Sequence, residues 1–130
     1  HQTYVDAGAD IITTNSYAVV PFHIGDARFA ARGGELAGLA GRLAREVADA
    51  AGRPVQVAGS LPPVCGSYRP DLVDLEAARP VLEVLIGALA PSVDHWQAET
   101  LSSLAEARLA ASLTARLHTL HAGRGGGQFR

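Results

Sequence analysis

Three short runs in this sequence share one shape: apolar and β-branched residues that end on small polar ones. They are Ile11-Ile12-Thr13-Thr14-Asn15, Val55-Gln56-Val57-Ala58-Gly59-Ser60 and Val93-Asp94-His95-Trp96-Gln97-Ala98-Glu99-Thr100. Each is bounded by turn residues and too short for a helix, which favours a strand. The first has no polar residue between its apolar ones, which predicts a strand covered on both faces.

Helical patterns separate the runs. His1 to Asp6 reads as the end of a helix, closed by Gly8. Tyr17 to Gly34 is a long connection broken by Pro21, Gly25 and Gly33-Gly34, of a length that is functional or carries short helices. From Glu35 to Ala51, Leu36, Leu39, Ala40, Leu43, Val47 and Ala50 recur on one face, and Gly52 and Pro54 end the helix. Asp74 suits the cap of a turn over Leu75 to Arg79. Pro80 suits the first position of a helix whose buried stripe is Leu82, Leu85, Ile86 and Leu89. Ser103 and Glu106 have the spacing of a capping box, and Leu109, Leu113, Leu117 and Leu120 follow as a stripe.

The order is helix, strand, helix, strand, helix, strand, helix. That is the pattern of repeated βα units with a parallel sheet. Such sheets bind ligands at the carboxyl ends of their strands. Thr13-Thr14-Asn15, Gly59-Ser60 and Glu99-Thr100 all fall there, and this coincidence is what predicts a site.

Composition narrows the class. The chain has 130 residues, 48% of them hydrophobic, and a formal net charge of -2. This predicts one globular core, with no charge run for nucleic acid or a membrane surface. No run approaches a membrane span and no secretory signal opens the chain, so the expected compartment is the cytoplasm. A single cysteine, Cys65, makes neither an internal disulfide nor a zinc site alone. The absence of methionine predicts that the chain does not begin where translation began. The Gly/Arg-rich stretch 121–130 loses all periodicity and is expected to be disordered.

Three segments carry a family resemblance: Ala7-Gly8-Ala9-Asp10-Ile11-Ile12-Thr13-Thr14-Asn15-Ser16-Tyr17, Val57-Ala58-Gly59-Ser60-Leu61-Pro62-Pro63 and Ala98-Glu99-Thr100. Together they resemble the homocysteine S-methyltransferase family, and Gly66-Ser67-Tyr68-Arg69-Pro70-Asp71-Leu72 resembles one branch of it. The similarity extends from His1 to about Ala111. It implies an α/β fold that is a fragment of a (β/α)8 TIM barrel over residues 1–120, with parallel strands near 11–15, 55–59 and 93–99. It also implies methyl transfer from a small donor, such as S-methylmethionine or betaine, to the homocysteine thiol.

In that family three cysteines hold a zinc ion that keeps the thiol deprotonated. Those cysteines lie on later strands and have no counterpart here. By the resemblance, Glu99 matches the glutamate that binds the homocysteine ammonium. Thr14 and Asn15 match a substrate-facing strand end, and Gly59-Ser60 matches the turn whose backbone approaches the ligand carboxylate. No residue of this chain is assigned to catalysis or to the metal.

Each assignment has a plainer structural alternative. Glu99 could pair with an arginine at a barrel rim, Asn15 could simply turn the chain, and Ser60 could be a turn hydroxyl. His95 is expected to pack in the core or face a helix, and Trp96 and the leucine stripes to form the core. The rival to the enzyme reading is a truncated or frameshifted, non-catalytic fragment. A half-barrel would also expose sheet edges that invite self-association.

Overall fold

The computed structural model describes residues 1–122, with side chains as far as Arg116. The stretch 123–130, and the side chains of Leu117, His118, Leu120 and His121, lie outside the described residues. Helix α1 (Gln2–Asp6) leads to strand β1 (Ile11–Thr13), and short α2 (Pro21–Ile24) and long α3 (Asp26–Asp49) follow. Strand β2 (Gln56–Leu61), helix α4 (Leu75–Leu89), strand β3 (His95–Ala98) and helix α5 (Leu104–Ala122) complete the chain. His121 and Ala122, expected to begin the tail, belong to α5. Among the described residues no helix is long and apolar enough to cross a membrane.

The sheet has the order β1-β2-β3, and both pairings are parallel. Ile12 stands beside Val57, Gly59 beside Trp96 and Leu61 beside Ala98, so these residues share one face. Ile12 and Val57 pack with Val5, Ala44 and Ala48, and Leu61 and Trp96 with the α4 and α5 core. The opposite face carries Ile11, Thr13, Ala58, Ser60, His95 and Gln97.

Here the expectation for β1 is corrected. Ile11 is 51% exposed, because the described helices cover only the Ile12 face. His95 is on the same face as Ile11, beside Ala58, while Trp96 takes the position that packs on the helix core.

Helix α3 departs furthest from its pattern. It begins at Asp26 and runs straight through Gly33-Gly34, which had looked like a break. Its buried face is made of Gly33, Ala37, Gly38, Ala40, Gly41, Ala44 and Ala48. Leu39 and Leu43 are 42% and 49% exposed. Close approach is the reason: a Cβ on Gly41 would lie 3.1 Å from the Ser92 Cβ and 3.3 Å from Leu89 Cδ2. Large side chains would hold the helices apart, so the small residues turn inward.

Helix α4 is one helix from Leu75, with Pro80 inside it rather than at its start. Asp74 caps it as expected, its Oδ1 accepting from the N–H groups of Glu76 at 3.0 Å and Ala77 at 3.1 Å. Pro80 is exposed, and it leaves the Glu76 carbonyl without its helical N–H partner. Ala78, Val81, Leu82, Leu85, Ile86 and Leu89 are all buried, and this continuous stripe carries the helix past the proline. Each fully buried Leu or Ile contributes about 1.5–3 kcal/mol.

At the amino end of the sheet, Asp94 fixes β3 against β2 and α3. Its Oδ2 accepts from the Val57 N–H at 2.7 Å, and its two oxygens meet the Arg45 guanidinium at 3.2 and 3.1 Å.

Candidate functional site at the carboxyl ends of the strands

Glu99 is the first residue past β3. Its N–H donates to the Leu61 carbonyl at 3.2 Å, which carries the β2–β3 pairing one step further. Its side chain continues the face of His95 and Gln97, the face on which Ser60 also lies. The Ser60 hydroxyl donates to Glu99 Oε1 at 2.6 Å. That length is typical of a hydroxyl on a carboxylate. Oε2 has no hydrogen-bond partner among the described residues.

Thr100 follows at φ +59, in the left-handed region that residues with a Cβ rarely adopt. The backbone thus turns sharply away just after the carboxylate.

Ser60 is fully buried and ties the site to β1. Its N–H donates to Thr14 Oγ1 at 3.1 Å, and Thr14 Oγ1 and Ser16 Oγ share a 2.8 Å hydrogen bond. The Thr14 N–H in turn donates to the Ala58 carbonyl at 2.9 Å. A continuous polar chain therefore runs Ser16–Thr14–Ser60–Glu99 across all three strand ends. With Thr14 and Ser16 almost fully buried, it holds the carboxylate in place. One step below, Thr13 Oγ1 donates to Gln97 Oε1 at 3.3 Å. The contact crosses the central strand, over the small Ala58 side chain, and links two strands that do not pair with each other.

The structure therefore brings together Thr14, Ser60 and Glu99. Asn15 stands apart. It is exposed and makes no hydrogen bond to this chain of polar groups, but it lines an open cleft of about 500 Å³ that Thr13 and Thr14 also border, with His1, Tyr4 and Ile11. Gly59 lies on the helix-facing side, where a Cβ would come within 2.8 Å of the Trp96 ring. Its position serves that packing, and the Ser60 N–H is committed to Thr14.

Sequence reasoning placed Thr13 in a strand-end cluster without a role, and missed Ser16 and Gln97. A signal for Gln97 exists: His95, Gln97 and Glu99 are polar at period two, which puts them on one face of the strand.

Hydrogen bonds from Arg32 and Arg69 hold the exposed Glu35 and Asp71 carboxyls below the usual range.

No individual curated protein matches this chain. The family profile described as homocysteine S-methyltransferase matches residues 1–122. The match passes Ala111, where the resemblance read from the motifs stops, and takes in the length of α5. It covers nearly all of a chain whose strand ends converge on Glu99: the chain belongs to the homocysteine S-methyltransferase family.

Proposed function

We propose that Glu99 holds the α-ammonium of homocysteine in a protein that methylates the homocysteine thiol. The observation that carries this is the Glu99 carboxylate itself. One oxygen is fixed by Ser60, while the other has no partner among the described residues and is available to a cationic donor. A buried polar chain sets the orientation, so little is lost in ordering the group when ligand binds. In the reaction the sulfur forms a new S–CH3 bond as the donor's bond to that methyl breaks, and the thiol proton departs. S-methylmethionine and betaine are the donor types this reading covers. The three-stranded parallel sheet and the Thr13–Gln97 contact over its central strand support part of a (β/α)8 barrel.

Zinc does not fit the residues present. Cys65 is the chain's one cysteine, and its Sγ lies 3.7 Å from the Asp74 carbonyl. Among the described residues no group of three or more His, Cys, Asp or Glu side chains is placed to hold a metal ion. The contribution proposed for this chain is substrate binding.

The test is Glu99→Ala in the complete enzyme that carries this sequence. The KM for homocysteine should rise by at least tenfold, with kcat within about threefold and bound metal unchanged. A collapse of kcat at constant KM, or loss of metal, would contradict the role.

A second reading concerns the chain by itself. Among the described residues the outer edges of β1 and β3 are unpaired, and Tyr4, Ile11, Leu39 and Leu43 are exposed. This favours a chain that pairs with a second copy of itself. Light scattering on the purified chain should give a mass above that of a monomer. A clean monomer counts against it.

A further inference from the structure

Between β2 and α4 the chain makes a nine-residue excursion, Cys65 to Val73, whose two ends are firmly held. Val64 is buried in the main core, and Asp74 caps α4. The middle is exposed from Tyr68 to Leu72, and two of its bonds are internal: the Arg69–Asp71 ion pair and the Leu72 N–H to Arg69 carbonyl bond. Among the described residues, one hydrogen bond ties the excursion to a residue outside 65–74. It joins the Tyr17 hydroxyl and Ser67 Oγ at 2.5 Å, across fifty residues of sequence.

Beside it, Phe22 of α2 sits against Gly66, where a Cβ would come within 3.1 Å of the ring. The backbone at this point is unusual. Gly66 has φ +119 and Tyr68 has φ +60, so Ser67 is presented between two residues in the left-handed half of conformational space. A non-glycine residue keeps such a φ only where its surroundings hold it.

Tyr17 also lies one residue past Ser16, an end of the polar chain that reaches Glu99. The excursion thus bridges from the carboxyl end of β2 to the loop that leaves β1, along the rim of the candidate site.

We propose that residues 65–73 form a strap latched to the β1 loop by Tyr17 and Ser67, and that it opens as a local unit while the core stays folded. The anchored ends, the single outward hydrogen bond and the strained apex are what a segment with two states requires. Opening leaves Val64 and Asp74 in place and uncovers the Tyr17 side of the rim. The proposal does not depend on the identity of the substrate.

The strap carries its own reporter, since Cys65 is the chain's one cysteine and is half-buried at the strap's first position. Alkylation of Cys65 by iodoacetamide under native conditions, followed by intact mass, reads strap opening. Tyr17→Phe keeps the ring and removes the hydroxyl. It should speed alkylation about fivefold to tenfold, the change expected when the closed state loses one net hydrogen bond. The urea midpoint and far-ultraviolet circular dichroism should stay at their wild-type values.

Ser67→Ala removes the same bond from the strap side and should give the same increase. The double variant should be no faster than either single one. Wild-type rates in both single variants would overturn the latch. So would multiplying effects in the double variant, which would mean two separate packing losses. If Tyr17→Phe lowers global stability, Ser67→Ala alone decides the matter.

Discussion

The Ser60 hydroxyl donates a 2.6 Å hydrogen bond to the Glu99 carboxylate, joining the carboxyl ends of two parallel strands. Ser60 is itself held by its own N–H on Thr14 Oγ1. Ser60→Ala should therefore leave Glu99 free to rotate without changing its charge. The expected effect is a weaker grip on homocysteine, by about fivefold to tenfold, which corresponds to one net hydrogen bond. Stability should change less, because the backbone bond to Thr14 remains. Isothermal titration beside a urea melt separates the two. A large stability loss with unchanged affinity would show that the bond is structural.

Asp94 makes a different prediction, since its bonds lie at the opposite end of the sheet. Asp94→Ala removes the acceptor for the Val57 N–H and the partner of Arg45. The ion pair is partly solvated, with side-chain exposures of 27% for Arg45 and 37% for Asp94, so most of the effect comes from the backbone N–H bond. A loss of about 2 kcal/mol is expected by chemical denaturation, with homocysteine affinity preserved.

Two glycines should respond in opposite directions. Gly34 is inside α3, and a Cβ there would meet Val84 Cγ1 at an ordinary 3.7 Å. Gly34→Ala should stabilise the protein by about 0.5–1 kcal/mol through helix propensity. Gly59→Ala would drive a methyl group to 2.8 Å from the Trp96 ring and should cost about 1–3 kcal/mol. Thermal melts of the two variants give the comparison directly. A shift of the same sign in both would contradict the packing described for β2 and β3.

What could be read from the sequence depended on whether the cause was local. The caps at Asp74 and Ser103 are local chemistry, and both form: the Glu106 N–H donates to Ser103 Oγ at 3.1 Å, while the Glu106 carboxylate accepts from the Ser103 hydroxyl at 3.0 Å rather than from a backbone N–H. The α4 stripe also survives, because its large apolar residues are the ones that find a core. The face of α3 was not legible. Its leucines mark a helix, but the choice of buried face belongs to Ser92 and Leu89, which demand glycine opposite them.

The same limit applies at the site. Glu99 and Ser60 stood out as polar residues at strand ends, but the alternation that selects Ser60 and sends Gly59 to Trp96 depends on strand register. Ser16 gave no signal of its own, since its role is to accept or donate one bond inside a buried chain.

Whether Glu99 reads the ammonium group is decided by a ligand that lacks it. L-homocysteine and 4-mercaptobutanoate, which lacks the amino group, are titrated into the protein and its Glu99→Ala variant. Glu99→Ala should weaken homocysteine by about thirtyfold, or about 2 kcal/mol, and leave the analogue within about twofold. Equal weakening of both ligands, or wild-type affinity for homocysteine in the variant, would contradict it.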